Sequence, residues 1–161
     1  MSVIDTLITD RTAADAARVR ELSQKISDGT ATAAEKQTFL SALKGAYNAT
    51  DLNRVGQAVA YLRDRLYNEA GTTVHVEPKT DFSQSGDLPT PAQVTRYVQD
   101  VQTMRGAFVL PDDAPAAPGD LDKLTWSEAN DIERILEQLD ASVTALKVTQ
   151  IMSGEFAAGE V

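Results

Sequence analysis

Cysteine is absent from the 161 residues, which excludes disulfides and thiolate metal sites and leaves nothing that marks an oxidising compartment. Histidine occurs once, at His75, so no Ser or Thr is offered a choice of base and no histidine-rich metal set can form. No apolar run approaches the ~20 residues that a membrane span requires, so membrane insertion is not expected. The opening Met1-Ser2-Val3-Ile4-Asp5 lacks the basic and apolar regions of a signal peptide, and synthesis and folding are expected in a cytoplasm. Neither glycine pattern that cradles phosphate is present; Gly45 and Gly56 stand alone. Cations are outnumbered, with 15 Lys and Arg against 24 Asp and Glu and a formal charge of −9. Nucleic acid is therefore not an expected partner, because counterion release needs clustered Lys and Arg. The acids are mixed with arginine, as in Arg18-Val19-Arg20-Glu21 and Arg63-Asp64-Arg65, which is the pattern of a solvated surface.

What is present is a helix start used twice. Thr50-Asp51-Leu52-Asn53-Arg54-Val55 is echoed 77 positions later by Ser127-Glu128-Ala129-Asn130-Asp131-Ile132. Each copy runs into an apolar stripe with 4, 3, 4 spacing: Val55, Val59, Leu62, Leu66, and then Ile132, Leu136, Leu139, Val143. Such narrow stripes suit helix–helix packing.

Local signals place five helices. The first starts at Thr12 with Asp15 three residues on, turns Val19, Leu22 and Ile26 inward and stops at Asp28-Gly29. The second opens on the capping box Thr32…Glu35, with Phe39, Leu40 and Leu43 as its buried side and Gly45 weakening its end. The third spans about Thr50 to Asn68 and ends at Gly71. Thr73-Val74-His75-Val76-Glu77 has strand propensity but is short and stops before Pro78, so 72–82 reads as an extended connector. Thr90-Pro91-Ala92-Gln93 opens the fourth helix, whose inner face is Val94, Tyr97, Val98, Val101, Met104 and Phe108. Three prolines between Pro111 and Gly119 make a stiff spacer. Thr125…Glu128 then launches the longest helix, to about Gln150, with Ala129, Ile132, Leu136, Leu139, Val143 and Leu146 inward. The reading is an all-α fold: one helical bundle over 1–151, followed by an extended, non-helical tail over 152–161.

Few residues invite a chemical role. Asn53 and Asn130 stand in the first turns of the two repeated helices. Each is expected to bond backbone in a connecting segment and so fix the helix, the rival role being a partner contact. His75, with only Glu77 and Asp81 near it, falls short of a metal set, and Asp112, Asp113, Asp120 and Asp122 lack the spacing of a calcium loop. No metal or cofactor is expected. Trp126 reads as a staple holding the spacer to the last helix, or else as an interface anchor. No catalytic constellation is apparent, and an enzyme is not expected.

Taken in order, several segments resemble small proteins encoded among the tail and baseplate genes of phages and prophages of Gram-positive bacteria. They are Asp10-Arg11-Thr12-Ala13-Ala14-Asp15, Gly45-Ala46-Tyr47-Asn48-Ala49-Thr50-Asp51-Leu52-Asn53-Arg54-Val55, Pro78-Lys79-Thr80-Asp81-Phe82 with Pro89-Thr90, Leu124-Thr125 with Ala129-Asn130-Asp131-Ile132-Glu133, and Ser153-Gly154-Glu155-Phe156. Gly56-Gln57 departs from the family pattern, which carries an acidic and a further polar residue there. The resemblance implies a virion structural protein, a tail or baseplate accessory that assembles with copies of itself and with neighbouring tail proteins, with no catalytic residues to carry over. In that role the tail, through Met152, Glu155, Phe156 and Val161, is expected to reach a partner, with strand addition as one mode. The alternative is a small acidic phage inhibitor that mimics DNA or blocks a host enzyme. That needs an unbroken double row of carboxylates, and Arg or Lys interrupts every such row here. A saccharide-cleaving tail enzyme would need a convergent carboxylate pair in a cleft.

Overall fold

Local capping places most of the helix starts. In the computed structural model, which describes the backbone of residues 1–41, 43–83 and 88–158 and the side chains through residue 150, a short 3₁₀ turn (Ile4–Thr6) precedes five α-helices. They are α1 (Ala13–Ser27), α2 (Ala33–Leu40), α3 (Ala49–Ala70), α4 (Pro91–Gly106) and α5 (Trp126–Ala158). Reciprocal side-chain caps close the starts of four of them: Thr12 with Asp15, Thr32 with Glu35, Asn48 with Asp51, and Thr90 with Gln93. At α5 the Thr125 N–H donates to the Glu128 carboxylate (2.8 Å) and the Glu128 N–H to the Thr125 hydroxyl (3.2 Å). Each pair satisfies two backbone donors that a helix start otherwise leaves orphaned. Gly71 ends α3 in the left-handed region (φ +63°), where a Cβ is disfavoured.

The protein is all-α, and no strand occurs among the described residues. Its core lies between α3, α4 and α5, with α3 and α5 as the most extensively packed pair. Leu52, Val55, Val59, Leu62 and Leu66 of α3 meet Ile132, Ile135, Leu136, Leu139 and Val143 of α5, while Tyr97, Val98, Val101 and Met104 of α4 close the third side. Farther along the α3–α5 seam, Arg65 binds Glu69 (2.8 Å) on its own helix and Asp140 across the seam. The 72–82 connector carries no regular element and alternates in burial. Val74 and Val76 enter the core while His75 and Glu77 face out.

α1 and α2 form a hairpin that packs chiefly on itself. Lys25 Nζ reaches Glu35 (2.6 Å) across it, and this ammonium, with the Thr32 N–H, holds the Glu35 carboxyl down to about 2. The hairpin meets the body where the chain passes Gly45. A Cβ there would lie 2.2 Å from the Asp15 carbonyl, so only glycine permits the crossing.

Several boundaries differ from expectation. α2 stops at Leu40 because Ser41 turns extended (ψ 163°), which leaves Leu40 exposed instead of buried and Leu43 only half-buried in the following turn. Asn48, rather than Thr50, caps α3: its side-chain oxygen accepts from the Thr50 N–H (2.9 Å). Trp126 is exposed, and Leu121 and Leu124 pack the spacer against the core in its place. α5 continues to Ala158, past the stop expected near Gln150. Met, Glu, Phe and Ala all sustain a helix, and Gly154 alone opposes it at roughly 1 kcal/mol. The side chains of 151–158 and the whole of 159–161 lie outside the described residues, so Met152, Glu155, Phe156 and Val161 are not placed as a partner contact.

Candidate functional site

The two repeated helix starts meet the rest of the chain through their asparagines. Asn53 on α3 receives the Phe82 N–H at Oδ1 (2.7 Å) and donates Nδ2 to the Phe82 carbonyl (3.0 Å). Asn130 on α5 does the same to Arg11, receiving its N–H (2.9 Å) and donating to its carbonyl (2.9 Å). A primary amide carries one acceptor and one donor edge, so it can pair with both backbone groups of one extended residue. Each asparagine thus bonds backbone of a connecting segment.

The clamped segments are themselves alike. Thr9-Asp10-Arg11-Thr12 leads into α1, and Thr80-Asp81-Phe82-Ser83 leads towards α4. The chain is thus two related halves, each an entry segment followed by helices, and each half's last helix grips the other half's entry. The shared Thr-Asp-x-hydroxyl pattern, 71 positions apart, was the signal that could have found this from sequence. It escapes notice because the clamped residue itself is Arg in one copy and Phe in the other.

Three residues beyond each asparagine the halves part company. In the second, Glu133 is fully buried and its Oε2 accepts the Ile8 N–H (2.6 Å). In the first, the equivalent residue is Gly56, and a Cβ there would lie 2.2 Å from the Lys79 carbonyl. Ile8 and Lys79 each precede their clamped residue by three. One helix therefore holds its segment through a carboxylate, and the other lets backbone touch backbone.

Around Glu133 lies a buried ionic cluster. Arg11 Nη2 binds Asp51 (2.9 Å) and Glu133 (2.7 Å), and Arg54 binds Glu133 through Nε (3.0 Å) and Nη2 (2.8 Å) and also Asp51. The remaining donors of Arg11 go to the carbonyls of Lys44 (3.1 Å) and Ile8 (2.7 Å), and its guanidinium lies 5.4 Å from the Tyr47 ring centre. Asp51 also caps the Asn48 N–H (2.9 Å). The cluster thus ties α3, α5, the entry segment and the turn before α3 to one another. Two carboxylates and two guanidiniums balance in charge, as buried ions must. Glu133 accepts four hydrogen bonds from Ile8, Arg11 and Arg54, which occupies the lone pairs a proton-transfer role would use. Nearby, the hydroxyls of Tyr47 and Tyr97 bond each other, and burial pushes both phenols above their ordinary value.

Sequence reasoning gave no sign of this cluster, because Arg11, Asp51, Arg54 and Glu133 each sit among charged or polar neighbours that look like solvated surface. The other candidates stay apart. His75 is exposed on the connector, and Asp112, Asp113, Asp120 and Asp122 are exposed on the spacer. Among the described residues no group of three or more metal-ligating side chains converges, and no helix is long and apolar enough to cross a membrane. The spacer is bound to α4, where Arg105 donates to the carbonyls of Pro115 (2.6 Å) and Ala114 (3.2 Å). Comparison with known proteins adds no relative: no family model, no curated protein and no solved structure matches this chain.

Proposed function

We propose that this protein is a structural component of a phage particle, a tail or baseplate accessory that works by assembling with itself and with neighbouring tail proteins. The observation that carries the reading is where the buried polar chemistry goes. Asn53, Asn130, Arg11, Asp51, Arg54 and Glu133 are all engaged in pinning segments of the fold, which suits a rigid body whose outside does the work. The ordered resemblance to phage tail-region proteins supplies the setting. Surface carboxylates alternate with bases, as at Arg18–Glu21 and Lys25–Glu35, which does not favour the unbroken acidic rows of a DNA mimic. No catalytic role, cofactor or metal belongs to this reading.

The test is particle association. Particles produced by a host carrying the gene are purified by density gradient, and the protein is quantified against the major tail protein. A fixed copy number that survives the gradient supports the reading. Protein found only in the soluble lysate refutes it and revives the host-directed inhibitor.

A further inference from the structure

In one half Glu133 and Arg11 fill the space between helix and entry segment; in the other the Lys79 carbonyl closes directly on Gly56. Beside that contact a cavity of about 190 Å³ opens between α3, the connector and α4. Its walls are Val55, Val59, Phe82, Tyr97 and Val101. One buried charge breaks the apolar lining. Asp100 is 4 % exposed, and its two bonds to described residues, from the Glu77 N–H (3.3 Å) and from Arg96 Nε (3.2 Å), both fall on Oδ1. The other charged groups lining it are Glu77, Arg96 and Lys79; Arg96 binds Asp100 and lies 3.6 Å from Glu77, and Lys79 binds Asp81.

The size decides the scale of an occupant. Apolar cavities of roughly 150 Å³ hold benzene, whereas pockets for drug-sized ligands begin at about 300 Å³. One ring or its equivalent fits. The carboxylate decides the polarity, because a donor brought to Asp100 would supply a bond its second oxygen does not draw from the described residues. We propose that this cavity is a binding site for a small monocyclic amine, with the ring between Val59, Phe82 and Val101 and the ammonium on Asp100. Burial raises the Asp100 carboxyl above its usual value, with the Glu77 N–H and Arg96 only partly opposing.

Amide-resolved NMR titration of the full chain tests the site, with benzylamine as the probe and benzyl alcohol and benzoate as its neutral and anionic analogues. Benzylamine should shift the Gly56, Val59 and Val101 amides saturably. It should bind at least about tenfold more tightly than benzoate, the discrimination that one charge-assisted hydrogen bond provides. Asp100→Asn keeps the shape and should bring benzylamine down to the level of benzyl alcohol. Val101→Phe fills the cavity and should abolish binding of all three; should that variant not fold, the near-isosteric Asp100→Asn decides alone. Absence of saturable shifts at those amides overturns the proposal. So does benzoate binding as tightly as benzylamine, or a preference for the amine that survives Asp100→Asn.

Discussion

Removing Glu133 is the sharpest perturbation of this fold. Its carboxylate is fully buried, accepts from Ile8, Arg11 and Arg54, and is the one group that joins the entry segment to both guanidiniums. In Glu133→Ala, Asp51 alone must balance two buried or half-buried cations, and the Ile8 N–H loses its acceptor. Breaking a buried ion pair from one side costs about 3–5 kcal/mol, because the surviving charge stays buried without compensation. That is a large part of the 5–15 kcal/mol that is usual for a folded domain, on the order of a third or more. Urea denaturation followed by helical circular dichroism reads it directly. With a slope of about 2 kcal/mol per molar, the midpoint should fall by about 2 M. High salt should leave the difference nearly intact, since a buried cluster is weakly screened. A midpoint shift under about 0.5 M, equal to roughly 1 kcal/mol at that slope, would refute the claim that the cluster anchors the entry segment.

Other outcomes follow from the same geometry. Asn130→Ala should destabilise by about 2–4 kcal/mol, since it strands a buried N–H and a buried carbonyl, and Asn53→Ala, whose bonds are half-buried, by less. Equal losses, or the reverse order, would contradict the burial argument. Gly56→Ala gains up to ~1 kcal/mol of helix propensity yet places a Cβ 2.2 Å from the Lys79 carbonyl, so paired melts should show a net loss. Asp100 has its carboxyl raised by burial. Its contribution is therefore fully present below the unfolded value, near ~3.9, and is lost as pH rises through the folded one. Asp100→Asn should accordingly gain stability relative to the parent between acid and neutral pH, and a pH-independent difference would be inconsistent. Deleting 152–161 should leave cooperative unfolding in place, because among the described residues the last buried core residue of α5 is Val143, and should weaken assembly as read by light scattering.

What the sequence disclosed was local. A capping box is spelled by residues three apart, so Thr12, Thr32, Thr90 and Thr125 announced their helices, and Gly71 announced a stop. The apolar stripes of α3 and α5 were legible because periodicity records which face is buried, although Ile135 lay off the counted spacing. The asparagines were legible in type, since a half-buried amide at a helix start needs backbone partners. Their partners were not, because Arg11 and Asn130 are separated by 119 residues. The end of α2 is not legible, because the chain turns extended at Ser41 with no glycine or proline there to mark the stop. The charged cluster escaped for a related reason: burial of Arg11 or Glu133 is decided by what folds over them, and their neighbours in sequence are those of a surface. The cavity beside Gly56 is lined from α3, the connector and α4, which are far apart in sequence, so no local pattern announces it.

The proposed role, assembly into a phage particle, is decided by quantitative immunodetection across a density gradient of intact particles. A virion component comigrates with particles at a constant ratio, in multiples of three or six if it follows a symmetric tail. A signal confined to the soluble fractions, at any level of expression, would contradict it.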